Sequence, residues 1–226
     1  MDIAVIGGGH GSHAAAADLS LQGHQVRFWR RDHQAFAPIL KQQTIELTDA
    51  SGQRSVPLAL ATTELKAAVR GAKLVLVPLP ATAHAGLVEA LIDCLEDEQV
   101  VLMPPGTFGS YFFARALEAA RPGARVMFAE SGTLPYLTRL QTPTRVAIRV
   151  RATRLPTGVF PAEKREQAYQ VIREAYPAVE PLADALDGAL MNAGPIIHPP
   201  LIVLNAGAIE YFRGLNPGWD IHKEGT

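Results

Sequence analysis

The sequence of 226 residues has a single cysteine, Cys94, which excludes an intramolecular disulfide. Its place in an amphipathic stretch, 86–96, suits a small core residue better than a reactive thiol. No apolar run approaches the roughly 18 residues of a membrane span, and no basic-then-apolar leader stands at the start, so neither a span nor a signal peptide is expected. Net charge is also scarce. At −1, with the arginines scattered rather than gathered, the chain offers no field for nucleic acid or an anionic membrane surface. No metal site is expected either, and these absences together point to a cytoplasmic protein. What the chain does have is apolar material: 48% hydrophobic residues against 19% charged ones, enough for a core. The length has room for one full domain and part of another.

The strongest local signal is Gly7-Gly8-Gly9-His10-Gly11-Ser12-His13. An apolar run, Ile3-Ala4-Val5-Ile6, leads into it and an alanine-rich stretch, 14–21, leads out. Buried strand, tight glycine turn and helix start form the setting in which such a run binds a dinucleotide. Gly7 supplies the turn, Gly9 lets a pyrophosphate approach the backbone, and the free N–H groups of the new helix hold the phosphates. Gly8, His10 and Gly11 complete the loop. Ser12 stands where a third glycine is expected and is small enough to pack helix on strand. The alternative is a structural turn that binds nothing.

In such a fold the adenosine ribose is read at the end of the second strand, here residues 25–29. That strand ends in Arg30-Arg31-Asp32. Two guanidinium groups suit a 2′-phosphate, so NADP is the expected cofactor, with NAD possible through Asp32. Two solvated arginines at a helix start are the alternative. A short helix, 35–41, precedes a hairpin formed by 44–48 and 56–60 about Asp49-Ala50-Ser51-Gly52-Gln53, read as an insertion before the next parallel strand. A helix at 63–69 and a buried strand at 73–77 follow. That strand ends in residues 78–84, which should face the cofactor through Pro80, with His84 expected on the surface. Another strand, 99–103, ends in Pro104-Pro105-Gly106-Thr107-Phe108-Gly109, where Pro105, Gly106 and Thr107 are expected beside a flat ring. A helix at 111–120 and a strand at 124–129 bring Glu130 to a strand's carboxyl end, where it either meets a substrate amine or the nicotinamide ribose, or pairs with Arg139. Alternation in 144–154 predicts an antiparallel strand at the sheet edge, and 163–175 reads as an amphipathic helix. Beyond Pro181 the texture is helical, with helices expected at 183–190 and 199–211. His198 precedes a Pro-Pro helix start and is either a proton donor or a helix cap.

In order along the chain, the glycine turn, Pro104-Pro105-Gly106-Thr107-Phe108-Gly109, Glu130 followed by Leu134-Pro135-Tyr136, and Asn192…Pro195…His198-Pro199…Leu204-Asn205-Ala206-Gly207 resemble the opine dehydrogenases, the octopine and nopaline dehydrogenase family. The glycine turn is shared with the related glycerol-3-phosphate dehydrogenases and ketopantoate reductases. The last group is the most specific, because it opens the family's helical substrate domain.

The resemblance implies a Rossmann-type doubly wound parallel sheet at 1–182 and, at 183–226, the start of an all-helical C-terminal domain. It implies an NAD(P)H-dependent enzyme that reduces the imine between an amino acid's amine and a 2-oxo acid such as pyruvate. His198 resembles the family's catalytic histidine, with Asn192 and Asn205 in the same helical site and Glu130 and Tyr136 toward the substrate. Thr138 stands where many relatives have cysteine, so the amino-acid pocket is expected to differ. The chain stops at Glu224-Gly225-Thr226, in what resembles the opening of a motif that continues in the family, so a truncated product with little turnover is expected. Apolar residues spread round 199–212 predict a homodimer. Two other readings stay open: a reductase of a small oxo or hydroxy acid, and a dinucleotide-binding protein without catalysis.

Overall fold

The computed structural model describes residues 1–219. β1 (Asp2–Ile6) leads into α1 (His10–Leu21), and β2 (Gln25–Trp29) into α2 (His33–Gln42). A hairpin of β3 (Thr44–Asp49) and β4 (Gly52–Pro57) follows, then β5 (Leu60–Thr62), α3 (Leu65–Val69), β6 (Leu74–Leu76), α4 (Val88–Ile92), β7 (Val100–Met103), α5 (Gly109–Ala120) and β8 (Met127–Ser131). The chain continues through β9 (Tyr136–Thr142), β10 (Arg145–Arg151), β11 (Leu155–Phe160), α6 (Arg165–Ala175), β12 (Val179–Pro181), α7 (Ala185–Leu190), α8 (Gly194–Leu204) and α9 (Ala206–Leu215).

Eight strands form the main sheet in the order β12-β11-β8-β7-β6-β1-β2-β5. From β5 to β8 every pairing is parallel; β11 then runs antiparallel to β8, and β12 parallel to β11. β1 from Ile3 onward, β6 and β7 are apolar without a break because helices cover both faces, as parallel sheets require. The fold is thus a Rossmann-type α/β sheet. Its order reverses between β1 and β6, since successive strands move outward from there in opposite directions, and ligands bind outside the strand ends at such a reversal.

On one face, α3, α4 and α5 pack through Val69, Leu91, Phe113 and Leu117. On the other face, α1 carries Ala14, Ala15, Ala16, Ala17 and Leu19, all buried. The alanines are explained by a second sheet, of order β4-β3-β10-β9, that covers α1 from outside. Small side chains all round let one helix lie between two sheets. The stretch expected at the main sheet's edge is therefore β10, inside this second sheet, parallel to β3 and antiparallel to β9. Alternation fixes a strand's faces but not which sheet receives it.

A buried polar cluster ties α1 to that sheet. Asp18 accepts from Arg151 Nε at 2.7 Å, Tyr136 OH at 3.1 Å and Gln22 Nε2 at 3.0 Å. Arg151 also reaches Asp49, at 2.8 Å, and Arg54 meets Asp49 at 2.7 Å. The Arg54 guanidinium holds the Asp49 carboxyl well below its ordinary 3.8, against burial and with help from Arg151. A depressed folded pKa stabilises the protein above the unfolded value and ceases to do so as pH falls toward the folded one. Urea unfolding followed from neutrality downward should therefore show stability falling below about pH 4, with a slope shallower by up to about one proton in Asp49→Asn. Equal slopes in the two proteins would remove Asp49 from this acid limb.

Two compact units divide after Asn192, further along than the 182/183 boundary expected, because α7 packs on β8 and β11. The second unit, as far as residue 219, holds α8 and α9, which meet at Asn205 and bury no residue. The helix expected at 199–211 is thus two helices. Pro195 opens α8, and Pro199 and Pro200 lie inside it. His198 is accordingly within the helix and does not cap it. The motif opening at Glu224-Gly225-Thr226 lies outside the described residues. Among those described, no helix is long and apolar enough to cross a membrane.

Candidate functional site

The glycine turn joins β1 to α1 at the reversal of strand order. Gly7 has φ +122°, a value that favours glycine, and a Cβ there would meet Ser12 Oγ and the Leu79 side chain. Ser12 is fully buried, and its Oγ has no hydrogen-bond partner among the described residues. A side-chain carbon at Gly9 would meet nothing within 4 Å, whereas one at Gly11 would touch Leu134 and Pro78 only at ordinary contact distance. Gly9 caps α1, whose first turn holds no acidic residue, so an anion meets no negative side chain there. The His10 ring turns aside: its Nδ1 accepts from Leu140 N at 2.7 Å, so His10 adds to the loop through its backbone. An open cradle, an unmet hydroxyl and a helix N-terminus without acid suit a pyrophosphate.

At the end of β2, Arg30 folds over Gly8, with Nη1 3.4 Å from the Gly8 carbonyl and a loose 4.0 Å approach to Asp32. Arg31 reaches the Gly86 carbonyl at 3.4 Å. Asp32 is occupied otherwise, since its carboxylate accepts from Ala35 N at 3.0 Å and caps α2. Both guanidiniums thus rest against backbone carbonyls, whereas the acid is committed to the start of α2.

The carboxyl ends of β6, β7 and β8 build the other half. Pro80 leads a short 3₁₀ turn at Ala81–Ala83. His84, expected on the surface, is buried: it sits edge-on to Phe113 at 5.6 Å, with Nε2 lacking a partner. Burial pushes this imidazole below its ordinary value, the Leu79 carbonyl opposing. After β7, Pro105 is held in a cis peptide, Gly106 N donates to the Ser131 carbonyl at 2.7 Å, and Thr107 Oγ1 donates to the Gly106 carbonyl at 2.6 Å. Asn192, at the end of the first unit, donates to that same carbonyl at 2.9 Å and to Thr107 Oγ1 at 3.2 Å. Glu130 is wholly buried. Its carboxylate accepts from Phe108 N at 3.1 Å and Ser110 N at 2.5 Å, fixing the start of α5, and burial raises its pKa against those amides.

The loops thus bring together the glycine turn, Arg30, Pro80, Pro105, Gly106, Thr107, Glu130 and Asn192, with Arg31 beside Gly86 at their edge. Tyr136 is not among them, because its hydroxyl belongs to the buried cluster with Asp18 and Tyr176. His198 and Asn205 lie in the second unit, where Asn205 donates to the Leu201 carbonyl at 2.8 Å. His13, buried one turn into α1, was not singled out by its spacing. Among the described residues no cluster of ligand side chains could hold a metal.

Residues 2–105 match the family described as NAD-dependent glycerol-3-phosphate dehydrogenase N-terminus. The chain is 25% identical over 221 residues to an opine dehydrogenase of Arthrobacter sp. (strain 1C), covering 95% of this chain and 62% of that protein. Among solved structures, an octopine dehydrogenase described with NADH and pyruvate superposes with a TM-score of 0.70 at 19% identity, covering 91% of this chain and 56% of the other. A yersinopine dehydrogenase with NADP⁺ bound gives 0.69 at 15%, covering 89% and 52%. These structures share the fold. The resemblance to the opine dehydrogenases therefore runs through nearly the whole chain, which spans less than two thirds of the length of these relatives.

Proposed function

We propose that this chain is the nucleotide-binding part of an NAD(P)H-dependent oxidoreductase of opine dehydrogenase type, which condenses an amino acid with a 2-oxo acid such as pyruvate. The observation that carries the reading is the open N-terminus of α1, with its cradle at Gly9 and unmet Ser12 Oγ, in a chain that resembles an opine dehydrogenase over 95% of its length. Residues Gly7 to Ser12 would hold the pyrophosphate, Arg30 and Arg31 a 2′-phosphate, and Pro80, Pro105, Gly106 and Thr107 the nicotinamide end. The cofactor supplies hydride when bound. Asn192 and Glu130 brace the loop beneath that end, so their part is to orient and to exclude water. His198 is the proposed proton donor, Asn205 stands by resemblance toward the substrate, and the exposed apolar residues of α8 and α9 support a homodimer.

Fluorescence titration tests the cofactor half. NADPH should bind more tightly than NADH, and Arg30→Ala/Arg31→Ala should lose that preference by roughly tenfold or more, as charged hydrogen bonds are worth about 1.5–3 kcal/mol each. Equal affinities in both proteins would return the choice to NAD. Oxidation of NADPH should then require an amine together with the 2-oxo acid. The match of residues 2–105 favours a second reading, a reductase of a small oxo acid, which predicts turnover with the carbonyl compound alone.

A further inference from the structure

His13 lies one turn into α1 and is fully buried, with its ring turned back toward the glycine loop. Nδ1 is 2.9 Å from the Gly9 carbonyl. A carbonyl only accepts, so Nδ1 carries the proton, and in the neutral ring Nε2 is a bare acceptor. Nε2 makes no hydrogen bond of good geometry among the described residues, although the Pro143 carbonyl lies near the ring, and the ring stands edge-on to Phe28 at 5.0 Å and 86°. Burial, helped by the nearby Arg30 charge, pushes this imidazole down to about 4 against the Gly9 and Pro143 carbonyls, so the neutral ring holds near neutrality. A leucine would fill the same volume without the Gly9 hydrogen bond. What the imidazole adds is its Nδ1–H.

The Gly9 carbonyl also accepts the backbone N–H of His13, at 3.1 Å. Two donors from one residue therefore fix the peptide between Gly9 and His10. Gly9 has no side chain to restrict it, so that plane would otherwise be loosely held. In a trans peptide the N–H points opposite the C=O. Pulling the carbonyl inward along α1 turns the His10 N–H outward, among the orphan donors that meet phosphate at a helix start. We infer that His13 is a positioning residue for pyrophosphate recognition: its Nδ1–H anchors the Gly9 carbonyl and so aims the His10 amide at the cofactor's phosphates. This rests on the dinucleotide binding proposed above.

The test uses His13→Leu, His13→Asn and His13→Gln in the chain as it stands. An asparagine amide nitrogen takes the place of Nδ1, whereas the longer glutamine carries its amide past it. NADPH is titrated by fluorescence, and adenosine 2′-phosphate, which has no 5′-phosphate, is titrated by calorimetry. Thermal melting monitors the fold. His13→Leu and His13→Gln should weaken NADPH by roughly tenfold, the loss of about one hydrogen bond, and leave adenosine 2′-phosphate within twofold; His13→Asn should recover most of the affinity. If His13→Leu does not fold, the Asn and Gln variants decide by the same contrast. NADPH affinity within twofold of wild type in the Gln variant, or equal losses for both ligands, would overturn the role of His13. Absence of NADPH binding by the wild type is a different result, and would overturn the proposed function with it.

Discussion

Replacing His198 with asparagine should lower the turnover number for reductive condensation by about 10²–10⁴-fold, the usual share of a general acid or base. Asparagine keeps much of the size and some hydrogen bonding. It cannot take up and release a proton between pH 5 and 8 as imidazole does. The affinity for NADPH should change little, because the groups proposed to hold phosphate and ribose, Gly9, Ser12, Arg30 and Arg31, belong to the first compact unit and His198 to the second. Turnover within a few-fold of wild type would rule out the proposed proton donor. His84, buried at the end of β6 with Nε2 unmet, would be the next imidazole to replace.

Gly158→Ala should be the most damaging single methyl in the first unit. Gly158 lies in β11 opposite Glu130 of β8. A Cβ there would overlap the Asp184 carbonyl, backbone that cannot swing aside as a long side chain does. Gly188 of α7 makes the reciprocal approach, to the Glu130 carbonyl and the Gly158 nitrogen. The two glycines let helix backbone rest directly on strand backbone, and Asp184 fixes the start of α7 by accepting from Asp187 N at 2.9 Å. Overpacking typically costs about 1–3 kcal/mol, and a backbone collision belongs at the upper end. For a chain of this size that is roughly a 6–12 °C fall in melting temperature. Gly207→Ala on α9, where a Cβ meets no atom within 4 Å, is the control and should melt near wild type. A Gly158→Ala melting point within about 2 °C of wild type would show that α7 can lift off at little cost.

The legible parts of this fold were those where one physical requirement dominates. β1 from Ile3 onward, β6 and β7 are apolar runs closed by glycine or proline, β2 alternates up to its arginines, and the glycine turn announces the reversal point. β9 escaped because its pattern is inverted: Leu137 is exposed while Thr138 is buried, its hydroxyl donating to the Ala147 carbonyl at 2.7 Å. β11 carries Pro156 and Gly158, both breakers in a local reading, yet the glycine is there so that α7 can approach. Pro199 and Pro200 suggested a helix start, which the more local Gly194-Pro195 provides instead. At the site, residue types pointed to a phosphate loop and to two arginines, and the fold sets these at the ends of β1 and β2. Side-chain direction did not follow from spacing: Glu130 turned to the α5 amides, Asp32 to a helix cap and His84 inward. His13 was hidden in an alanine run, where nothing marks a histidine that faces backward.

Asn192 is both the last residue of the first unit and the donor that clamps the Gly106–Thr107 turn. Everything from Ala193 onward is therefore attached one peptide away from the loop proposed to carry the nicotinamide. One side chain thus serves two ends: losing the Asn192 amide would free the Gly106–Thr107 turn at the very residue where the first unit closes.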